Sequence, residues 1–253
     1  MKYFLTLLAL SPLLVLAHDH IETGVSPDDS TRLAMDGPNY QLSTYFPIGE
    51  FPGGYYTVFP GGYFTSQLTF IVAGEVFLIP PPPTRVRIEL LSVSGPAGGQ
   101  FAFWEVGATS PTFSRTSGWN STDSDRPGFA ASEPGSAYGH IHGRAYTTTK
   151  SGEYSITFRA VDETNTLAPS PSKTMTFQAL EAPQLAISLE RNIVKLTFTS
   201  RPNLSYDVQV STTLAPGSWS TIGDPIDGDG GMKEFLDPLN NRPRAFYRLV
   251  EFE

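Results

Sequence analysis

The chain of 253 residues contains no cysteine and only four histidines. The first absence rules out disulfide staples and any thiolate metal site. It also removes cysteine nucleophiles. Neither a Gly-x-Ser-x-Gly elbow nor a phosphate-cradling glycine loop occurs, so the familiar acyl-transfer and nucleotide-dependent mechanisms lack their parts. Positive charge is also scarce. Lys and Arg total 17 against 25 Asp and Glu, for a net charge of −8, and such an acidic chain is a poor partner for nucleic acid or anionic lipid. After the first 17 residues no apolar run approaches the roughly 20 residues of a transmembrane helix, and no mature transmembrane segment is expected.

Residues 1–17 read as a secretory signal peptide. Lys2 supplies a positive start, Phe4 to Leu16 form an apolar stretch interrupted at Thr6, Ser11 and Pro12, and Val15-Leu16-Ala17 offers a cleavage site. Export leaves 16 basic against 25 acidic residues, a net charge of −9. The expected location is secreted, cell-surface or periplasmic. No sorting motif, lipobox cysteine or hydrophobic C-terminal tail suggests a covalent anchor.

Helical periodicity is nearly absent. Short alternating runs recur between Gly, Pro, Asn and Asp clusters, which predicts an all-β chain of the jelly-roll or sandwich type. Predicted strands are Tyr55–Phe59, Ser66–Val72, Arg85–Ser92, Gln100–Val106, Arg144–Thr148, Glu153–Val161 and Lys173–Ala179. A turn of helix is expected near Thr31–Met35, and the Pro80–Pro83 run reads as a stiff polyproline connection. A boundary near Leu180-Glu181-Ala182-Pro183 divides an N-terminal domain (18–180) from a smaller one (181–253). In the latter, strands are predicted at Leu185–Leu189, Ile193–Thr199, Tyr206–Ser211, Trp219–Ile222, Glu234–Leu236 and Phe246–Phe252.

The four histidines form two His-x-His pairs, His18/His20 and His140/His142. In an extended segment, alternate residues share a face about 6.5–7 Å apart, close enough for two imidazoles to converge on one ion. Neutral imidazole suits zinc or copper. Cleavage after Ala17 would make His18-Asp19-His20 the new N-terminus, which opens three geometries. The free amine, two backbone amides and His20 form a square-planar copper site; alternatively, His18 chelates through its amine and ring as a brace completed by His140 or His142. In the third, side chains of both pairs assemble a three- or four-histidine zinc site.

Other candidates carry less chemistry. Phe51-Pro52-Gly53-Gly54-Tyr55 returns as Phe59-Pro60-Gly61-Gly62-Tyr63, two turns whose Tyr55, Tyr56 and Tyr63, with Trp104 or Trp119, would offer an aromatic platform to a sugar ring. Asp227-Gly228-Asp229-Gly230 lacks the ligand spacing of a calcium loop and reads as a tight turn, and Asp123 and Asp125 lie in a polar loop. Glu89, Glu105, Glu133 and Glu153 read as ordinary surface charges.

Two stretches resemble known families. From His140 to Val161, the His-x-His pair, Tyr146, Lys150-Ser151-Gly152-Glu153-Tyr154 and the strand ending at Asp162 resemble the repeat of bacterial surface-anchored proteins. Some of these accompany metal-uptake transporters. The tail resembles the fibronectin-III-like module of planctomycete and verrucomicrobial secreted proteins, through Tyr206-Asp207-Val208-Gln209-Val210-Ser211, Trp219, Asp227-Gly228-Asp229-Gly230-Gly231 and Ala245-Phe246-Tyr247-Arg248-Leu249. The likenesses imply export, β architecture, a metal ion as ligand, and a transporter or envelope component as partner.

The preferred expectation is therefore an exported, non-catalytic protein that binds zinc or copper through His18, His20, His140 and His142. The alternatives are a glycan-binding, adhesion or structural envelope protein, and a copper-dependent polysaccharide oxidase with an N-terminal histidine brace. Mass spectrometry of the exported protein is expected to find His18 at the N-terminus; retention of residues 1–17 would overturn both amine-dependent copper geometries.

Overall fold

The computed structural model describes residues 19–46, 61–65, 67–72, 76–131, 139–215, 217–240 and 242–252, with His140 described by its backbone alone. Among these residues there is no helix, so none is long and apolar enough to cross a membrane. The chain is all-β. The strands of residues 19–179 are β1 (Asp19–Val25), β2 (Leu33–Asp36), β3 (Tyr40–Phe46), β4 (Gly62–Thr65), β5 (Leu68–Val72), β6 (Val86–Ser94) and β7 (Gln100–Trp104). They continue with β8 (Phe113–Thr116), β9 (Trp119–Asn120), β10 (Gly128–Ala130), β11 (Gly139–His140), β12 (Ala145–Thr148), β13 (Gly152–Asp162) and β14 (Lys173–Ala179).

Two sheets face each other. The smaller has the order β11-β5-β1-β2; the larger runs β10-β6-β13-β14-β3-β4-β12-β7-β8, with β9 also on β6. Because β8 returns beside β6, the large sheet curls almost into a barrel. Period-two patterning drives this packing. In β13, Tyr154, Ile156, Phe158 and Ala160 are buried while the residues between them are partly exposed. These meet Ile21, Leu68, Phe70 and Val72 of the small sheet in one core. Phe103 stacks on Phe129 at 4.2 Å within it.

The tail comprises β15 (Ala186–Glu190), β16 (Ile193–Thr199), β17 (Ser205–Ser211), β18 (Ser220–Thr221), β19 (Ile226–Asp227), β20 (Met232–Pro238) and β21 (Phe246–Phe252). A β15-β16-β20 sheet packs on β17, which carries β18 and β19 on one side and β21 on the other. Their shared core includes Leu196, Phe198, Tyr206, Val208 and Leu249.

The tail is seated on the first module. Strand β7 is apolar from Phe101 to Trp104 because both of its faces are covered there: Phe101 and Phe103 enter the main core, whereas Ala102 and Trp104 join Phe46, Phe64, Ala145 and Val250 of β21. Leu42 and Leu180 in turn pack against the tail core. A polar clamp inside the tail ties it to the connecting segment: Arg201 pairs with the fully buried Glu251 at 2.8 Å and donates to the Glu181 carbonyl. Tyr206 Oη donates to Glu251 at 2.9 Å and accepts from the Arg201 N–H. Burial, and then the Glu251 charge, push the Tyr206 phenol up to about 12.

Two sequence expectations are corrected. Leu33–Asp36 is a strand, not a helix: Thr31 is held in a turn by Asp29, and the Leu33 N–H donates to Ala168 O while its side chain enters the core. The proline run is a turn rather than a straight connection, with a cis Pro82–Pro83 peptide and the Thr84 N–H donating to Pro81 O. The predicted strand Tyr55–Phe59 lies outside the described residues.

Removing the cation of the clamp strands a buried carboxylate. Arg201→Met is expected to lower the unfolding free energy by about 3–5 kcal/mol in denaturant titrations; a change under about 1 kcal/mol would contradict the clamp.

Candidate functional site

Strand β1 brings His20, the second member of the first histidine pair, into the small sheet. Ile21, Thr23 and Val25 face inward, and Thr23 Oγ1 donates to the Ile71 carbonyl at 2.9 Å. His20 and Glu22, at the alternate positions, lie on the opposite face and are both half-buried. One Glu22 carboxylate oxygen, Oε2, accepts the Val76 N–H at 3.0 Å. Asp19 instead reaches toward β3, where its carboxylate accepts from Gln41 Nε2 at 2.8 Å. Gly37 lets the chain pass over β1: a Cβ there would stand 2.5 Å from the His20 carbonyl oxygen, and its φ is +147°.

Central strand β5 lies between the strands that carry His20 and His140. It runs parallel to β1 on one side, with His20 opposite Thr69 and Glu22 opposite Ile71. On its other side it runs antiparallel to β11, with His140 also opposite Ile71. Glu22 and His140 therefore stand level across β5, about 9.6 Å apart as two strand spacings. His20 lies two residues along, which puts its Cα roughly 12 Å from that of His140. On this face of β5, Thr69 is only 5% exposed, whereas Ile71, which stands between Glu22 and His140, is half-buried.

The expected extended geometry of the second pair is only half present. The antiparallel course carries the chain after His140 toward the level of Thr69, but β11 ends at His140, and His142 is exposed in the coil that follows. His18 and the side chain of His140 lie outside what is described. Among the described residues, no three His, Asp or Glu side chains gather closely enough to hold a metal ion.

Arg144 fixes the chain immediately after the second pair. It is 4% exposed, and its Nε and Nη2 clamp the two Glu105 oxygens at 2.7 and 3.0 Å while Nη1 donates to Ala130 O. Its guanidinium also lies over the rings of Phe103 and Phe129. Glu105 is thus half of a structural pair, as is Glu89 with Arg159.

The remaining candidates resolve into structural parts. Tyr63 belongs to the core at 8% exposure, edge-on to Tyr45. Trp104 is 2% exposed, and its indole N–H donates to Thr147. Tyr55 and Tyr56 lie outside the described residues. Trp119 is half-buried beneath Arg115, and its indole N–H donates to Asp125, which also pairs with Arg115. Asp123 pairs with Arg126. Asp229 is held down to about 2, chiefly by the Gly231 N–H and then by Lys233, as befits a closed turn. No family model matches the chain, and no curated protein matches it.

Glu22 and Arg144 were not among the residues that motif reading singled out for the site. For Glu22 a signal exists, because it continues the His18-x-His20 alternation; for Arg144 the burial becomes visible only in three dimensions. Arg144→Met is expected to lower the unfolding free energy by about 2–4 kcal/mol, through the lost charged hydrogen bonds and ring contacts. Denaturant unfolding at neutral pH measures this, and an unchanged midpoint would contradict the assigned role.

Proposed function

We propose that this chain is an exported, non-catalytic protein that binds a divalent metal ion, zinc or copper, with side chains of its two His-x-His pairs. One observation carries the reading: two strands far apart in the chain, β1 and β11, pair with the two edges of the same strand, β5. Histidines about 120 residues apart in the chain thereby reach one sheet. Imidazole is the commonest metal ligand.

The resemblance to surface-anchored proteins that accompany metal transporters agrees with this reading, with capture or delivery at the cell surface as the physiological role. A seated tail suits a docking unit that presents the first module at a defined angle. Glycan adhesion has less support, since two of its proposed rings, Tyr63 and Trp104, are buried. The oxidase reading depends on His18, outside the described residues.

The exported protein is expected to bind one zinc or copper ion in calorimetric titration at pH 7.5. Affinity should fall at least 100-fold in His20→Ala and in His140→Ala/His142→Ala. Binding should also weaken below about pH 6.5, where imidazoles take up protons and cease to be ligands. Wild-type affinity in both variants, or no binding by the wild type, would overturn the proposal.

A further inference from the structure

Resting on the metal reading above, we propose that the ion is held by side chains alone and that Glu22 is its carboxylate ligand beside His20. Two features of β1 lead there. The first concerns the backbone. In the square-planar amine-and-amide geometry, consecutive backbone nitrogens close five-membered rings on the ion, which requires a nearly eclipsed N–Cα–C–N torsion at each residue. Asp19, the middle residue of that chelate, instead lies in β1 opposite Leu68, where ψ is about +115° to +135°. Chelation by those nitrogens would strip the first residues of β1 from the sheet and break the tie from Asp19 to Gln41.

The second feature is register. Glu22 is two residues from His20 on the half-buried face of β1 and stands level with His140 across β5. Its Oε2 is oriented by the Val76 N–H at 3.0 Å, and its Oε1 remains as the donor atom. A backbone donor that fixes a carboxylate while one oxygen faces the metal is the usual outer support of such a ligand. Imidazole nitrogen with carboxylate oxygen is a donor set suited to zinc.

Glu22→Gln tests this with little structural disturbance, because the amide oxygen can still accept from Val76 while the charge is lost. Zinc titration of the exported protein is expected to show at least tenfold weaker binding in Glu22→Gln, an intermediate loss in Glu22→Asp, and an unchanged melting temperature for both metal-free variants. If Glu22→Gln binds zinc as the wild type does while His140→Ala/His142→Ala does not, the carboxylate assignment fails and the histidine site stands. If copper titration of the wild type yields the absorption of a square-planar four-nitrogen Cu(II) site, the side-chain-only assignment fails. Absence of zinc binding in the wild type would overturn both this inference and the reading beneath it.

Discussion

Strand β5 is the constraint on which the arrangement depends. Its Leu68, Phe70 and Val72 are buried in the main core, so its register cannot slip by one residue without exposing all three. Both of its edges are occupied, one by a parallel neighbour and one by an antiparallel neighbour. A parallel pair requires a long connection, and here that connection contains β2, β3 and β4, the last two in the large sheet. The position of the N-terminal histidine strand is thus tied to closure of the whole first module.

The two modules are coupled in the same way, by surfaces each would otherwise leave apolar. Trp104, Phe46 and Phe64 on the back of the large sheet are covered with help from Val250, and Leu42 and Leu180 are shared with the tail core. Beside this seam the Glu251 carboxylate fixes the tail's own interior, because it is satisfied only when Arg201 and Tyr206 are both in place. This seating gives the tail a fixed orientation on the sheet opposite β5.

Strands with uninterrupted alternation were legible. Lys173–Ala179 and Ile193–Thr199 have the bounds expected from pattern, since every second residue faces a core; Phe246–Phe252 has its expected bounds too, although its successive Leu249, Val250 and Glu251 are all buried. Strands β1 and β3 were not. The Asp19–Val25 segment has few large apolar residues and buries Thr23 through a hydrogen bond. In β3 the buried positions include Gln41 and Ser43, which inverts the alternation that pattern reading relies on. The site was half legible for a related reason. The His-x-His pairs are visible as spacing, but the placement of His20 and His140 on the two strands that flank β5 depends on pairings between strands far apart in the chain, and Glu22 gains meaning only from those pairings.

Chemically, the account reduces to whether imidazoles from two sequence-distant strands share one ion. Zinc-edge X-ray absorption on the zinc-loaded exported protein tests that most directly. The expected spectrum has nitrogen and oxygen neighbours at about 2.0–2.1 Å with outer-shell scattering from at least two imidazole rings, and that scattering falls both in His20→Ala and in His140→Ala/His142→Ala. A shell of oxygen neighbours without imidazole scattering, or imidazole scattering that either variant leaves unchanged, would contradict the shared site.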